Sequence, residues 1–247
     1  MNKLKVLHMY ADILDLYGDS GNIEILKYRC KMRGIECEIE KYSINSEMPD
    51  FKTFDLIYLG GGADLEQQHI SADLHKCRKG IAEAYKNGTF LFLICGGYQL
   101  FGKYYKDADG NKINGLGLFD YYTIAEPDRR KRCIGNVIIR TEFTGKTVDI
   151  VGFENHGGQT KNIKNPLGSV VCGHGNCTKS THEGYVEKNV IATYMHGPCL
   201  AKNPEISDYI IAYCIGRQIG RKVKLSALDD TLEKTCRQVM INRLTKK

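Results

Sequence analysis

Apolar residues in the first hundred positions recur at two spacings that take turns along the chain. Residues 5–10 form a short apolar run that predicts a first strand, and residues 22–33 place apolar groups at helical spacing before Gly34, a natural helix stop. Residues 35–39 alternate and predict a second strand. A third spans 54–59 and ends in Gly60-Gly61-Gly62. Residues 71–86 have the pattern of a helix, closed by Asn87-Gly88, and 90–94 (Phe-Leu-Phe-Leu-Ile) is an uninterrupted apolar run expected of a strand buried on both faces. This alternation predicts an α/β fold with a parallel sheet covered by helices on both sides.

Beyond Leu116 the pattern shifts to shorter extended segments, at 132–140, 148–153, 168–173 and 190–194, which either continue the sheet or build a second layer against it. Residues 204–219 then predict a helix with Ile206, Tyr209, Ile210, Tyr213 and Cys214 at core spacing. No internal repeat is present. In such a fold, function sits at the carboxyl ends of the strands, where both the triple glycine and Cys95 fall.

The run at 90–94 ends in Cys95-Gly96-Gly97, followed by a helix start. A strand turning sharply into a helix strains its corner residue, so the flanking positions need small side chains. A thiol at that corner meets unpaired amides and the positive end of a helix dipole, conditions that favour a thiolate nucleophile. Most of the ten cysteines are expected to be inert and buried. Cys95 stands apart because its position, flanks and following helix agree.

A thiolate nucleophile is usually served by a base, and the chain has seven histidines. His196 follows the apolar segment ending in Tyr194-Met195 and precedes Gly197-Pro198, so it also lies at a strand end; alone it would read as a capped loop histidine. His156, within Gly152-Phe153-Glu154-Asn155-His156-Gly157-Gly158, is a rival base or a loop-orienting side chain. The other five histidines have no comparable context. Attack on a carbonyl also needs donors for the oxyanion. The Gly96 amide is one candidate; the other lies in Gly60-Gly61-Gly62, with Gly61 at its centre. A phosphate cradle at the glycines is disfavoured, since Ala63-Asp64-Leu65-Glu66 follows where a Lys-Ser or Lys-Thr would be required.

Bulk properties narrow the classes further. At 247 residues with 5 prolines and no linker-like run, nothing divides the chain into unlike halves. The N-terminal apolar stretch is interrupted at Asp12 and Asp15, unlike a secretory signal, and no apolar run approaches membrane-spanning length. A cytoplasmic protein with its cysteines as thiols is expected. The net charge of +6 derives partly from Arg129-Arg130-Lys131-Arg132, which reads as a solvated loop in the absence of any nucleic-acid motif. Cys172, His174 and Cys177 are close in sequence but lack the second ligand pair of a structural zinc site, so no metal is expected.

Together, Ile94-Cys95-Gly96-Gly97-Tyr98-Gln99, the loop Gly60-Gly61-Gly62-Ala63-Asp64-Leu65-Glu66-Gln67, and Tyr194-Met195-His196-Gly197-Pro198 resemble class I glutamine amidotransferases, in the branch related to cobyric acid synthase. Residues 152–158 and Lys202-Asn203-Pro204-Glu205 resemble most closely the GatD-type glutaminase subunits of lipid II isoglutaminyl synthase. The resemblance runs from the first strand to the helix after Pro204. It implies a three-layer, flavodoxin-like fold with a mostly parallel central sheet, forming one glutamine amidotransferase domain over residues 1–247. It also implies that Cys95 attacks the glutamine amide, that His196 assists proton transfer, and that Arg132, Gly61 and Gln99 hold the substrate. Arg132 precedes Cys133-Ile134-Gly135-Asn136, and a guanidinium there suits a carboxylate; Arg129 and Arg130 are alternatives.

The family partner is a MurT-type, Mur-ligase-like subunit in a heterodimer. It uses ATP and Mg to activate the α-carboxyl of D-glutamate in lipid II, so no cofactor is expected in this chain. Alternative readings keep the chemistry with another acceptor, such as a cobyrinate-like acid, or replace it with a non-catalytic regulatory module, a cysteine peptidase or a γ-glutamyl hydrolase. One position departs from the wider superfamily: Pro198 stands where many members have the glutamate that orients the histidine. The expectation is that the partner supplies this carboxylate, with Asp12, Asp19, Glu154 and Asp64 as alternatives within the chain.

Overall fold

The computed structural model describes residues 3–246. The chain first builds β1 (Lys3–Met9), helix α1 (Gly21–Lys31), β2 (Glu36–Tyr42), β3 (Leu56–Leu59), α2 (Asp64–Lys86), β4 (Phe90–Ile94) and the short α3 (Gly96–Phe101). Then follow β5 (Tyr104–Lys106), β6 (Lys112–Asn114), β7 (Tyr122–Ala125), β8 (Cys133–Thr141), β9 (Val148–His156) and β10 (Gly158–Lys161). The last elements are β11 (Gly168–Cys172), β12 (His182–Glu183), β13 (Tyr185–Glu187), β14 (Val190–Thr193), α4 (Pro204–Ile219) and α5 (Thr231–Thr245).

The central sheet has the order β13-β14-β4-β3-β1-β2, with every pairing parallel except that of β13 with β14. This is the doubly wound, flavodoxin-like order with an added antiparallel edge. Every residue of β3, β4 and β14 is buried. Because successive side chains point to opposite faces, that burial means both faces are covered, as the apolar run at 90–94 implies. On one side α1 packs against α4, which lies on β1 and β4.

The later extended segments divide between the two expected outcomes. Residues 190–193 join the central sheet beside β4, while β8, β9, β11 and β12 form a separate four-stranded sheet. A third sheet has the order β10-β7-β5-β6. The second sheet still touches the first: Phe153 and His196 exchange backbone hydrogen bonds of 3.0 and 2.8 Å.

Two helices differ from the sequence expectation. The helix predicted over 71–86 begins at Asp64, one residue after the triple glycine, where Asp64 and Glu66 in its first turn favour the positive end of the dipole. Helix α5 has no counterpart in the hydrophobic pattern. Most of its residues face solvent, so no apolar stripe announces it. It is anchored by Arg237, which pairs with Glu205 of α4 at 2.7 and 2.8 Å. Nearby, Arg29 of α1 and Arg33 of the turn that follows it grip Asp208 of α4, and Arg29 also holds Asp230, fastening the segment that leads into α5.

Candidate active site

Four adjacent strands, β1, β3, β4 and β14, end at one level: Met9 pairs with Leu59, Leu59 with Leu93, and Leu93 with Ala192. The loop leaving each strand carries one part of the site. Asp19 follows β1, the triple glycine follows β3, Cys95 follows β4 and His196 follows β14.

Cys95 occupies the strained corner expected of it, with φ 50° and ψ −100°. Such a conformation costs a non-glycine residue about 1–3 kcal/mol and persists only where the surroundings impose it. Its amide is held by the Thr193 carbonyl at 2.9 Å, and its carbonyl accepts from the Gln99 amide at 3.0 Å. Gly97 could carry no side chain, since a Cβ there would lie 2.6 Å from the Leu59 carbonyl oxygen.

The missing side chain of Gly61 marks where the chemistry converges. A Cβ there would stand 2.8 Å from His196 Cε1, 3.0 Å from Asp19 Oδ2 and 3.2 Å from Cys95 Cβ. His196 Nδ1 lies 3.0 Å from both Asp19 carboxylate oxygens, and both side chains are fully buried. His196 Nε2 is buried with no hydrogen-bond partner, leaving it available to a substrate. Burial opposes charge on this imidazole, but Cys95 and Asp19 outweigh it and raise its pKa from 6.5 to about 10. The ring therefore carries a proton at neutral pH, and an imidazolium is the charge partner that stabilises a thiolate.

Asp19 corrects the expectation that the partner provides the orienting carboxylate. The other acidic candidates are engaged elsewhere: Asp12 by Ser43, Asp64 by Tyr105, and Glu154 by the amides of His174 and Gly175. Asp19 is fixed independently, since its carbonyl accepts from Tyr58 Oη at 2.7 Å. Pro198 has a different use from the glutamate it replaces. Its ring packs on Gly21, where a Cβ would lie 2.8 Å from Pro198 Cγ, so the histidine turn rests on the start of α1, just beyond Asp19.

The glycines also require a correction. Gly61 N–H donates to Asp19 Oδ2 at 3.0 Å, so it is not free to receive an oxyanion. The neighbouring Gly62 amide lies 3.1 Å from the place a Gly96 Cβ would occupy, and Gly62 lines the same cavity as Cys95. Gly62 N–H and Gly96 N–H are thus the better-placed pair of donors. Gly60 and Gly62 lack side chains because the loop after β1 presses on them: a Cβ on Gly60 would lie 2.4 Å from the Leu14 carbonyl oxygen.

A cavity of about 560 Å³ opens above Cys95, and Arg132, Arg129, Gln99 and His156 are among the residues lining it. Arg129 is paired with Asp109 at 2.8 Å, and Arg130 with Asp128 at 2.9 Å. Arg132 is bound by neutral Asn155, at 3.3 Å through Nε and 3.1 Å through Nη2, and forms no ion pair among the described residues. Its uncompensated charge makes it the arginine suited to a substrate carboxylate. Arg132→Ala is expected to raise the KM for glutamine about 10- to 100-fold with a smaller change in kcat, as for loss of a charged hydrogen bond, and steady-state glutamate release checks it.

Gln99 lines the cavity with its amide held in place, accepting from Gln67 at 2.9 Å and donating one N–H to Tyr194 Oη at 3.3 Å. These bonds fix its orientation on the wall. His156 is not placed as the base. Its Nδ1 faces the Gly158 carbonyl at 2.7 Å, its Nε2 lies 3.7 Å from Glu154, and its ring stacks on Tyr194. Burial pushes its pKa down. Cys172, His174 and Cys177 do not gather as ligands: among the described residues no three metal-ligating side chains cluster, and the amides of this segment wrap Glu154.

Comparison with known proteins agrees with this geometry. Among solved structures, the fold is similar to that of PurLQS from Thermotoga maritima, with TM-score 0.58, 14% identity and coverage of 88% of this chain and 99% of the other. A structure described as a glutamine amidotransferase matches with TM-score 0.56 and 15% identity over 84% of this chain and 98% of its own. At these identities the likeness concerns the fold alone. Among curated sequences, the lipid II isoglutaminyl synthase (glutamine-hydrolyzing) subunit GatD of Staphylococcus aureus (strain N315) is 37% identical over 98% of this chain and 97% of its own. The GatD subunit of Streptococcus pneumoniae (strain ATCC BAA-255 / R6) is 35% identical over 93% and 87%. A probable cobyric acid synthase of Methanococcus maripaludis (strain C6 / ATCC BAA-1332) is 32% identical over 71% of this chain but only 36% of its own length. Residues 5–204 match the CobB/CobQ-like glutamine amidotransferase domain, and with a cysteine, histidine and aspartate converging above its sheet the chain belongs to that family.

Proposed function

We propose that this chain is the glutaminase subunit of a lipid II isoglutaminyl synthase. The observation that carries the chemistry is the convergence of Cys95, His196 and Asp19 on the bare α-carbon of Gly61, beneath a cavity lined by Arg132, which has no ion-pair partner among the described residues. Arg132 receives the glutamine α-carboxylate and the side-chain amide extends toward Cys95. The thiolate attacks the amide carbon, and the resulting oxyanion is met by the Gly62 and Gly96 amides. His196 gives its Nε2 proton to the departing nitrogen, so ammonia leaves and a γ-glutamyl thioester remains. His196 then takes a proton from water as it attacks the thioester, releasing glutamate and restoring the thiolate–imidazolium pair.

The acceptor assignment rests on the GatD relatives, which match nearly the full chain, whereas the cobyric acid synthase is matched over a minor part of its length. Ammonia then passes to a MurT-type, Mur-ligase-like subunit that binds ATP and Mg²⁺ and activates the α-carboxyl of D-glutamate in lipid II, giving D-isoglutamine. On this reading the complex works in the cytoplasm, where the lipid II stem peptide and ATP are both accessible. No helix among the described residues is long and apolar enough to cross a membrane.

The test is to co-purify the chain with that partner and supply lipid II, ATP and glutamine. Amidated lipid II should form only when all three are present. Glutamate release without lipid II amidation, in a complex that amidates another activated carboxylate, would move the assignment to that acceptor.

A further inference from the structure

Residues 152–158 join the two ends of the site. On β9, Phe153 and Asn155 are two positions apart and so share one face of the strand. Phe153 exchanges both backbone hydrogen bonds with His196. Asn155 holds Arg132 through its side-chain oxygen, at 3.3 and 3.1 Å, and through its carbonyl oxygen at 3.4 Å. The same side chain donates through Nδ2 to Tyr17 Oη. Tyr17, in a left-handed conformation with φ 61° and ψ 22°, sets its ring edge-on against His196 at 4.9 Å between centroids and against Phe153 at 6.0 Å. The contacts close a ring from Arg132 through Asn155 and Tyr17 to His196, and back along β9.

We propose that Asn155 is a positioning residue, resting on the glutaminase reading above. It orients the Arg132 guanidinium for the substrate α-carboxylate and, through Tyr17, fixes the aromatic wall beside His196. An amide suits this role for an electrostatic reason. Its oxygen accepts from a guanidinium without cancelling the charge, while its nitrogen is a donor for the tyrosine oxygen. A carboxylate could retain the contact to Arg132, and the tyrosine hydroxyl could donate to it in turn. It would, however, neutralise the cation that the substrate needs. Asn155 therefore couples recognition of the amino-acid end of glutamine to the arrangement of the proton-transfer end.

The experiment compares two alkylating probes of Cys95 in the full chain. One is 6-diazo-5-oxo-L-norleucine, which carries the α-carboxylate; the other is iodoacetamide, which does not. The readout is the ratio of the two labelling rates, followed by intact mass, in the parent, Asn155→Ala and Asn155→Asp. At least a tenfold fall in this ratio is expected for both variants, appearing in the half-saturating concentration of the diazoketone. A merely structural role would spare Asn155→Asp, so a parental ratio in that variant overturns the proposal, as does a ratio within twofold of parent in both. If the parent itself shows no preference for the diazoketone, the glutaminase reading fails and this inference with it.

Discussion

Cys95→Ala should reduce glutamate release by the complex to background, a loss of at least about 10³-fold, as expected when the nucleophile of a covalent mechanism is removed. The variant should fold, because alanine is smaller than cysteine and faces the same corner strain at φ 50°. Ammonium salts bypass the first half-reaction. Synthesis by the Cys95→Ala complex should therefore persist with added ammonium while failing with glutamine, and comparing the two nitrogen sources separates a lost nucleophile from a damaged interface. Glutamate release at the parental rate would remove Cys95 from the mechanism and favour a regulatory role for the chain.

The second large effect is expected at Asp19. Asp19→Asn should lower kcat for glutamate release about 10²- to 10⁴-fold, the range found when the carboxylate that orients a catalytic histidine becomes an amide. KM should change less, because Asp19 lies beneath His196, whereas the proposed carboxylate contact is with Arg132 on the cavity wall. Unchanged turnover would return the orienting role to another carboxylate, such as one from the partner. The pH dependence gives an independent readout. His196 holds its proton up to about pH 10 because the influence of Cys95 and Asp19 exceeds the opposing effect of burial. With Asp19 neutralised, that proton should be lost at lower pH and the alkaline limb of the rate profile should move in the acid direction. Stability follows the same sign. A folded-state pKa raised above 6.5 contributes stability in full below that pH, and the contribution is lost as pH rises toward about 10. The parent should therefore lose more thermal stability than Asp19→Asn between pH 6.5 and 10.

Much of this arrangement is legible in the sequence. Short, largely apolar runs locate β1, β3, β4 and β14, and the last three, buried along their whole length on both faces, are almost wholly apolar for that reason. The same logic isolates Cys95, since a nucleophile at a sharp corner needs glycines at fixed, adjacent places. His196 is found similarly, at the end of an apolar strand and before a turn. These are local signals, imposed by the backbone within a few residues.

Other features leave no local trace. Asp19 resembles Asp12, Asp15 and Asp64 in sequence, and only the assembly of β1, β3, β4 and β14 in one sheet brings its loop beneath His196 while the other acids find different partners. Gly61 and Gly62 are indistinguishable as letters; the Asp19 carboxylate occupies one amide, while the other belongs to a residue lining the cavity above Cys95. Among the arginines of the basic loop, pairing with Asp109 and Asp128 removes two, and Arg132 retains its charge beside a neutral asparagine. Helix α5 is hidden for the opposite reason, because a mostly solvated helix has little apolar periodicity to display. The sequence by itself determined the parallel sheet, the cysteine corner and the histidine at a strand end, because backbone geometry dictates residue type over short spans. Which carboxylate, amide and arginine complete the site depends on contacts between loops far apart in the chain, and only the tertiary structure decided them.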